Sequence, residues 1–164
     1  MLRNVEDWQF EVDMTATMAY SAQEAADHCD CAYCRNYYRA ADPQLRALLG
    51  SFGLDLEAPD ELMPYDFSEE MQYEGCYAVA GTILQVGKKP LLCGGAVVSP
   101  CVNEELDVHT GISEPYFLLN VSVSLPWVLE EPMQEVLSPE NEPSFLKKMW
   151  LGLLQRLQKD TLKT

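Results

Sequence analysis

Three apolar stretches rich in β-branched and aromatic residues, 73–86, 90–98 and 115–128, are separated only by turn signals, Gly87-Lys88-Lys89-Pro90 and the polar run 103–111. Links this short favour antiparallel pairing, because a parallel neighbour needs a crossover of a dozen residues or more. A fourth strand is predicted at the front of the chain. There Trp8, Phe10, Val12 and Met14 alternate with Gln9, Glu11, Asp13 and Thr15, a period of two that places one face in a core.

Between the first strand and the later ones the pattern is helical. Ser21 and Glu24 have the spacing of a capping box, which predicts a short helical turn ahead of the cysteines. Residues 35–41 read as helix, and Asp42-Pro43 as an N-cap followed by proline at the first helical position. That second helix runs through Leu45, Leu48 and Leu49, with Gly50 and Gly53 to close it. Residues 55–74 hold eight acids, no base, Pro59 and Pro64, and are expected to form an ordered but irregular connection. Near the C-terminus Phe145, Leu146, Met149, Trp150, Leu153, Leu154 and Leu157 recur at helical spacing. The expectation is an α+β fold in a single domain, 1–164. It has a central antiparallel sheet, a cysteine-knuckle helix near the N-terminus and a C-terminal helix packed on the sheet.

The net charge of −15 is unevenly distributed. Residues 1–46 carry −4, residues 47–146 carry −15 with only Lys88 and Lys89 as bases, and residues 147–164 carry +4. The middle of the chain would repel phosphate backbones and anionic headgroups, so we expect binding of neither nucleic acid nor membrane. A basic protein would be attracted. The first residues lack the apolar stretch of a signal peptide, and the longest apolar run, 91–98, is too short to span a bilayer. A cytoplasmic location is therefore expected, where the six cysteines would be reduced thiols or metal ligands rather than disulfides.

Chemistry is concentrated in His28-Cys29-Asp30-Cys31-Ala32-Tyr33-Cys34. Cys31 and Cys34 have the two-residue spacing of a zinc knuckle, whose turn points both sulfurs to one side, and Cys29 can supply a third thiolate. A closed site needs a fourth ligand, for which His28, Cys76, Cys93, Cys101 and His109 are the candidates. His28 is disfavoured because side chains of adjacent residues diverge from an extended backbone. Two other readings stand beside zinc. Cys31, near a helix start, suits a thiol–disulfide pair, although an antiparallel setting is foreign to thioredoxin-like sites. The cysteines also suit a buried junction, free cysteine being among the most buried residue types.

Elsewhere the signals are weaker. Gly94-Gly95 lacks the spacing of a phosphate loop and reads as a bulge or tight turn. The adjacent acids Glu69-Glu70, Glu104-Glu105 and Glu130-Glu131 read as solvated rather than catalytic, and His109 beside Asp107 has no nucleophile near it in sequence. The aromatic residues read as core and core-edge groups.

The run Cys31-Ala32-Tyr33-Cys34-Arg35-Asn36-Tyr37 is followed by Gly53-Leu54-Asp55, Pro59-Asp60-Glu61, Tyr73-Glu74-Gly75-Cys76-Tyr77 with Gly81, and Leu125-Pro126-Trp127. In that order these segments resemble a family of uncharacterised bacterial proteins, over roughly residues 31–128. Cys76 departs from the pattern, where a variable or aromatic residue is expected. The resemblance implies a bacterial cytoplasmic protein with one compact domain, and it implies no reaction. The expected function is a non-enzymatic binding or adaptor protein holding zinc through Cys31, Cys34 and Cys29. The alternatives are an acidic inhibitor or immunity-type protein that binds a basic partner, and a thiol-based redox protein.

Overall fold

The computed structural model describes residues 1–67, 70–102, 108 and 110–133. Two short strands, β1 (Leu2–Val5) and β2 (Trp8–Val12), open the chain as a hairpin, with Val5 opposite Trp8. Three helices follow: α1 (Met14–Ala26), α2 (Ala32–Ala40) and α3 (Pro43–Ser51). Then come β3 (Glu61–Phe67), β4 (Glu70–Gln85), β5 (Leu91–Cys93), β6 (Ala96–Cys101) and β7 (Tyr116–Leu125). All pairings are antiparallel, in the order β1-β2-β4-β7-β6-β5, with β3 also paired to β4. The architecture is α+β, as the alternating stretches predict. The helix expected over 145–157 lies outside the described residues.

The sixteen-residue β4 is the spine of this sheet. One of its edges pairs with β7 from Met71 to Ala80, while the other is shared end to end by β3, up to Cys76, and β2, from Gly81 onward. Between those two partners the strand edge would expose unpaired backbone groups, an expensive state in a buried setting. Side chains and loop backbone take the place of a strand. Asp60 N–H donates to the Cys76 carbonyl at 2.8 Å, and Asp13 N–H to the Ala80 carbonyl at 2.9 Å. Ala78 N–H donates to Asp60 Oδ2 at 2.7 Å, and Ala80 N–H to Thr17 Oγ1 at 3.1 Å. Where β2 takes over, Gly81 adopts φ +143°, and a Cβ there would lie 2.0 Å from the Glu11 carbonyl oxygen. Only glycine permits that approach.

Helix α1 is longer and earlier than its sequence predicts. It is capped by Asp13, whose carboxylate accepts from Ala16 N–H at 3.0 Å, so the alternation beginning at Trp8 ends at Val12. Ser21, expected as a cap, is instead buried inside the helix and accepts from Asp55 N–H at 2.8 Å. The buried face is polar, made of Thr17, Tyr20 and Ser21, and it docks by hydrogen bonding to the edge of β4 and its flanking loop. Tyr20 donates to Asp60 Oδ1 and accepts from Gly111 N–H at 3.2 Å.

The other two helices follow the usual amphipathic logic. Asp42 caps α3 by accepting from Gln44 N–H at 2.7 Å, with Pro43 at its first position, as Asp42-Pro43 predicts. Leu45, Leu49 and the following Phe52 are fully buried. Phe52 meets Phe10 edge-on at 5.2 Å, and Phe10 stacks on Phe117 at 5.1 Å, joining α3 to β2 and β7. The main core lies on this side of the sheet, with Tyr73, Tyr77 and Val79 of β4 and Phe117, Leu119, Val121 and Val123 of β7. A smaller cluster on the opposite side gathers Tyr20, Cys76, Ala78, Val108 and Leu118.

The acidic stretch after residue 55, expected to be irregular, contains β3, in which Pro64 is tolerated because the strand has a partner on one side only. The stretch 90–98 is two strands rather than one, folded at Gly94 and Gly95, both with positive φ, so the glycine pair is a hairpin turn.

Burial raises the pKa of Asp60 above the 3.8 of a free carboxyl, against the lowering effect of its bonds from Tyr20 and Ala78. A carboxyl harder to ionise in the native state binds more protons there than when unfolded, so its contribution to stability falls as pH rises above 3.8 through the raised value. Asp60→Asn keeps an acceptor in place and removes the titration. The unfolding free energy of the wild type minus that of the variant is expected to decrease across this window in urea titrations at stepped pH. A flat or rising difference would contradict the assignment.

Candidate metal centre

Helix α1 stops at Ala26, and residues 27–31 link it to α2. Cys31 is the N-cap of α2, in extended backbone geometry (φ −69°, ψ 161°), and its side chain makes no capping bond. Cys34 sits three residues on, one turn away, so the two side chains share a face of the helix start. Cys29 approaches from the preceding turn. The sulfur atoms of Cys29, Cys31 and Cys34 all lie within 4.8 Å of one another. Three thiolates on a tetrahedral zinc, bonded at about 2.3 Å, stand about 3.8 Å apart, which falls within that bound. These are the three residues expected as ligands, and among the described residues they form the one group of His, Cys, Asp or Glu with this convergence.

Their environments differ. Cys34 is buried, whereas Cys29 and Cys31 are exposed. The Cys31 N–H, and then the thiols of Cys31 and Cys34, donate toward Cys29 and lower its pKa below the ordinary thiol value. Burial, followed by donation of its own proton to Cys31 and Cys29, pushes Cys34 upward. One sulfur is thus polarised toward thiolate at the surface while another is anchored in the core.

None of the described candidates for a fourth ligand joins the three sulfurs. The Nδ1 of His28 is 2.7 Å from the Ala25 carbonyl, so Nδ1–H donates to it, and the ring lies edge-on to Tyr38 at 5.5 Å. Cys76 and Cys101 belong to the small cluster across the sheet, and Cys101 Sγ accepts from Asn120 at 3.4 Å. Cys93 ends β5 at the hairpin turn. His109 lies outside the described residues.

Helix α2 is fastened below the cysteines by polar bonds that the sequence pattern does not mark. Asn36 is fully buried, donating to the Pro126 carbonyl and to Tyr73 Oη, both at 3.1 Å, and accepting from Val128 N–H at 2.7 Å. Tyr73 Oη in turn donates to the Tyr33 carbonyl at 2.9 Å. Tyr33 meets Trp127 edge-on at 5.9 Å, and Arg35 pairs with Glu131 at 2.6 Å while its Nε donates to the Asp30 carbonyl at 3.1 Å. Deeper still, Tyr37 and Tyr77 share a hydrogen bond at 2.9 Å, and Tyr77 donates to the Leu56 carbonyl at 2.7 Å. The segment after β7 is thereby strapped to α2. Residues of the runs 31–37 and 125–127 meet here.

No protein-family model matches the chain, and no curated protein or solved structure matches it significantly.

Replacing Asn36 with alanine deletes three hydrogen bonds, the one to Tyr73 Oη buried and those to the Pro126 carbonyl and the Val128 amide part-buried. The loss is expected to reach about 3 kcal/mol in urea denaturation, more than the roughly 1 kcal/mol of a single exposed bond. A loss below 1 kcal/mol would show that the strap contributes little.

Proposed function

We propose that this chain is a non-enzymatic binding or adaptor protein that carries a zinc ion on Cys29, Cys31 and Cys34, with a basic protein as its partner. The observation that carries the reading is the convergence of three sulfurs within 4.8 Å around the start of α2. Thiolates in this number favour zinc among the common divalent cations, since magnesium and calcium prefer oxygen. The N–H donation toward Cys29 supports the thiolate form that a metal needs. A bacterial cytoplasmic setting, as the sequence resemblance implies, would keep these thiols reduced and metal-competent. The surplus of acids over residues 47–146 supports a basic partner, whose association would be accelerated electrostatically and weakened by salt.

A second reading, thiol–disulfide exchange, is favoured by the same polarisation of Cys29 next to two other thiols. One preparation separates the two. Protein purified without chelator under reducing conditions is expected to contain one zinc per chain by elemental analysis. Cys31→Ser and Cys34→Ser should each reduce that content below a tenth, and Cys93→Ser should leave it unchanged. Zinc at a hundredfold excess over Kd is expected to add about 2.7 kcal/mol to stability. Trace zinc with Cys29 and Cys31 freely reactive toward a thiol reagent would refute the metal reading, and a disulfide among the three would favour exchange.

A further inference from the structure

We propose that the fourth coordination position of this metal site belongs to a ligand from outside the chain, a neutral imidazole presented by a basic protein partner rather than a fourth thiolate; this rests on the zinc reading above. Two lines of observation lead there, one of access and one of charge.

Access comes from the unequal burial of the three cysteines. Cys34 roots the site in the main core, while Cys29 and Cys31 are exposed, so a metal held by all three is reachable from solvent. His28, the imidazole nearest in sequence, does not join the three sulfurs. His28 is bonded to the Ala25 carbonyl and packed on Tyr38. Asp30, 3.7 Å from Arg35 Nε, offers its carbonyl to the same guanidinium. A three-ligand zinc with an accessible fourth position is an acceptor for an incoming donor, as in sites that exchange water for substrate.

Charge selects the kind of donor. Zinc with three thiolates carries a net −1, next to Asp30 and within a chain of −15. The nearby cation, Arg35, is already engaged by Asp30 and by Glu131 at 2.6 Å. A fourth thiolate would raise the local charge to −2. An imidazole ligates through neutral nitrogen and adds no charge. A basic chain carrying that histidine would be drawn in by the same acidic field that repels an anionic donor.

The test uses the full chain loaded with Co(II), whose visible spectrum reports the donor set. Titration with imidazole is expected to shift the d–d bands saturably, with an apparent affinity at least tenfold above that of 2-mercaptoethanol at neutral pH. A lysine-rich peptide with one histidine should bind at least tenfold more tightly than its histidine-to-alanine counterpart, and lose affinity as salt rises. Equal binding of the two peptides, or a spectrum unmoved by imidazole, would overturn the proposal. So would X-ray absorption on the zinc protein showing four sulfurs, or a nitrogen ligand lost in His28→Ala or His109→Ala. Failure to bind Co(II) or zinc at all would instead refute the underlying metal reading.

Discussion

The edge of β4 between Cys76 and Gly81 is the place on which the rest of the molecule turns. Neither β3 nor β2 reaches it, so its backbone groups must be satisfied by Asp60, Thr17 and Asp13. Satisfying them fixes where α1 can lie, since Thr17 reaches Ala80 only if the helix crosses the sheet edge there. Tyr20, one turn further along, then meets Asp60 and the loop at Gly111. The cost of leaving such groups buried and unmade, about 1 to 3 kcal/mol each, exceeds the gain from any one of these bonds in water. Docking of α1 is thus enforced more by what would happen without it than by apolar burial.

From that anchor the path to the cysteines is short. Helix α1 delivers the chain to residues 27–31, and α2 starts with Cys31 as its N-cap. Holding α2 in register falls to Asn36, Tyr37 and their partners on β4 and the segment after β7. Buried polar networks of this kind contribute modestly to net stability when complete, and they penalise any other seating of the helix. The positions of Cys31 and Cys34 depend on a seating defined by directional bonds.

Legibility in the sequence followed the kind of force at work. Strands with one face in the main core declared themselves by alternation, as Trp8, Phe10 and Val12 do, and α3 by Asp42-Pro43 ahead of Leu45 and Leu49. Helix α1 did not, because its docking face is Thr17, Tyr20 and Ser21, which no hydrophobic period marks. Strand β3 hid behind its acids and Pro64, being added to β4 at a sheet edge where proline costs no ladder bond. The short β1 carries only a weak pattern and owes its place to the turn at Glu6 and Asp7. Of the candidate site, the knuckle spacing of Cys31 and Cys34 was readable, and the arrival of Cys29 depends on the conformation of residues 27–31, which spacing alone does not determine.

The division of burial among the three cysteines has a consequence for how such a site changes over evolutionary time. Cys34 contributes to the core whether or not a metal is present, whereas Cys29 and Cys31 are exposed and bond to little else. Core packing therefore draws on Cys34 and hardly at all on the two outer thiols. A lineage can acquire or discard the two outer thiols in single steps without crossing a stability threshold, and so remake the cluster while the scaffold beneath stays intact.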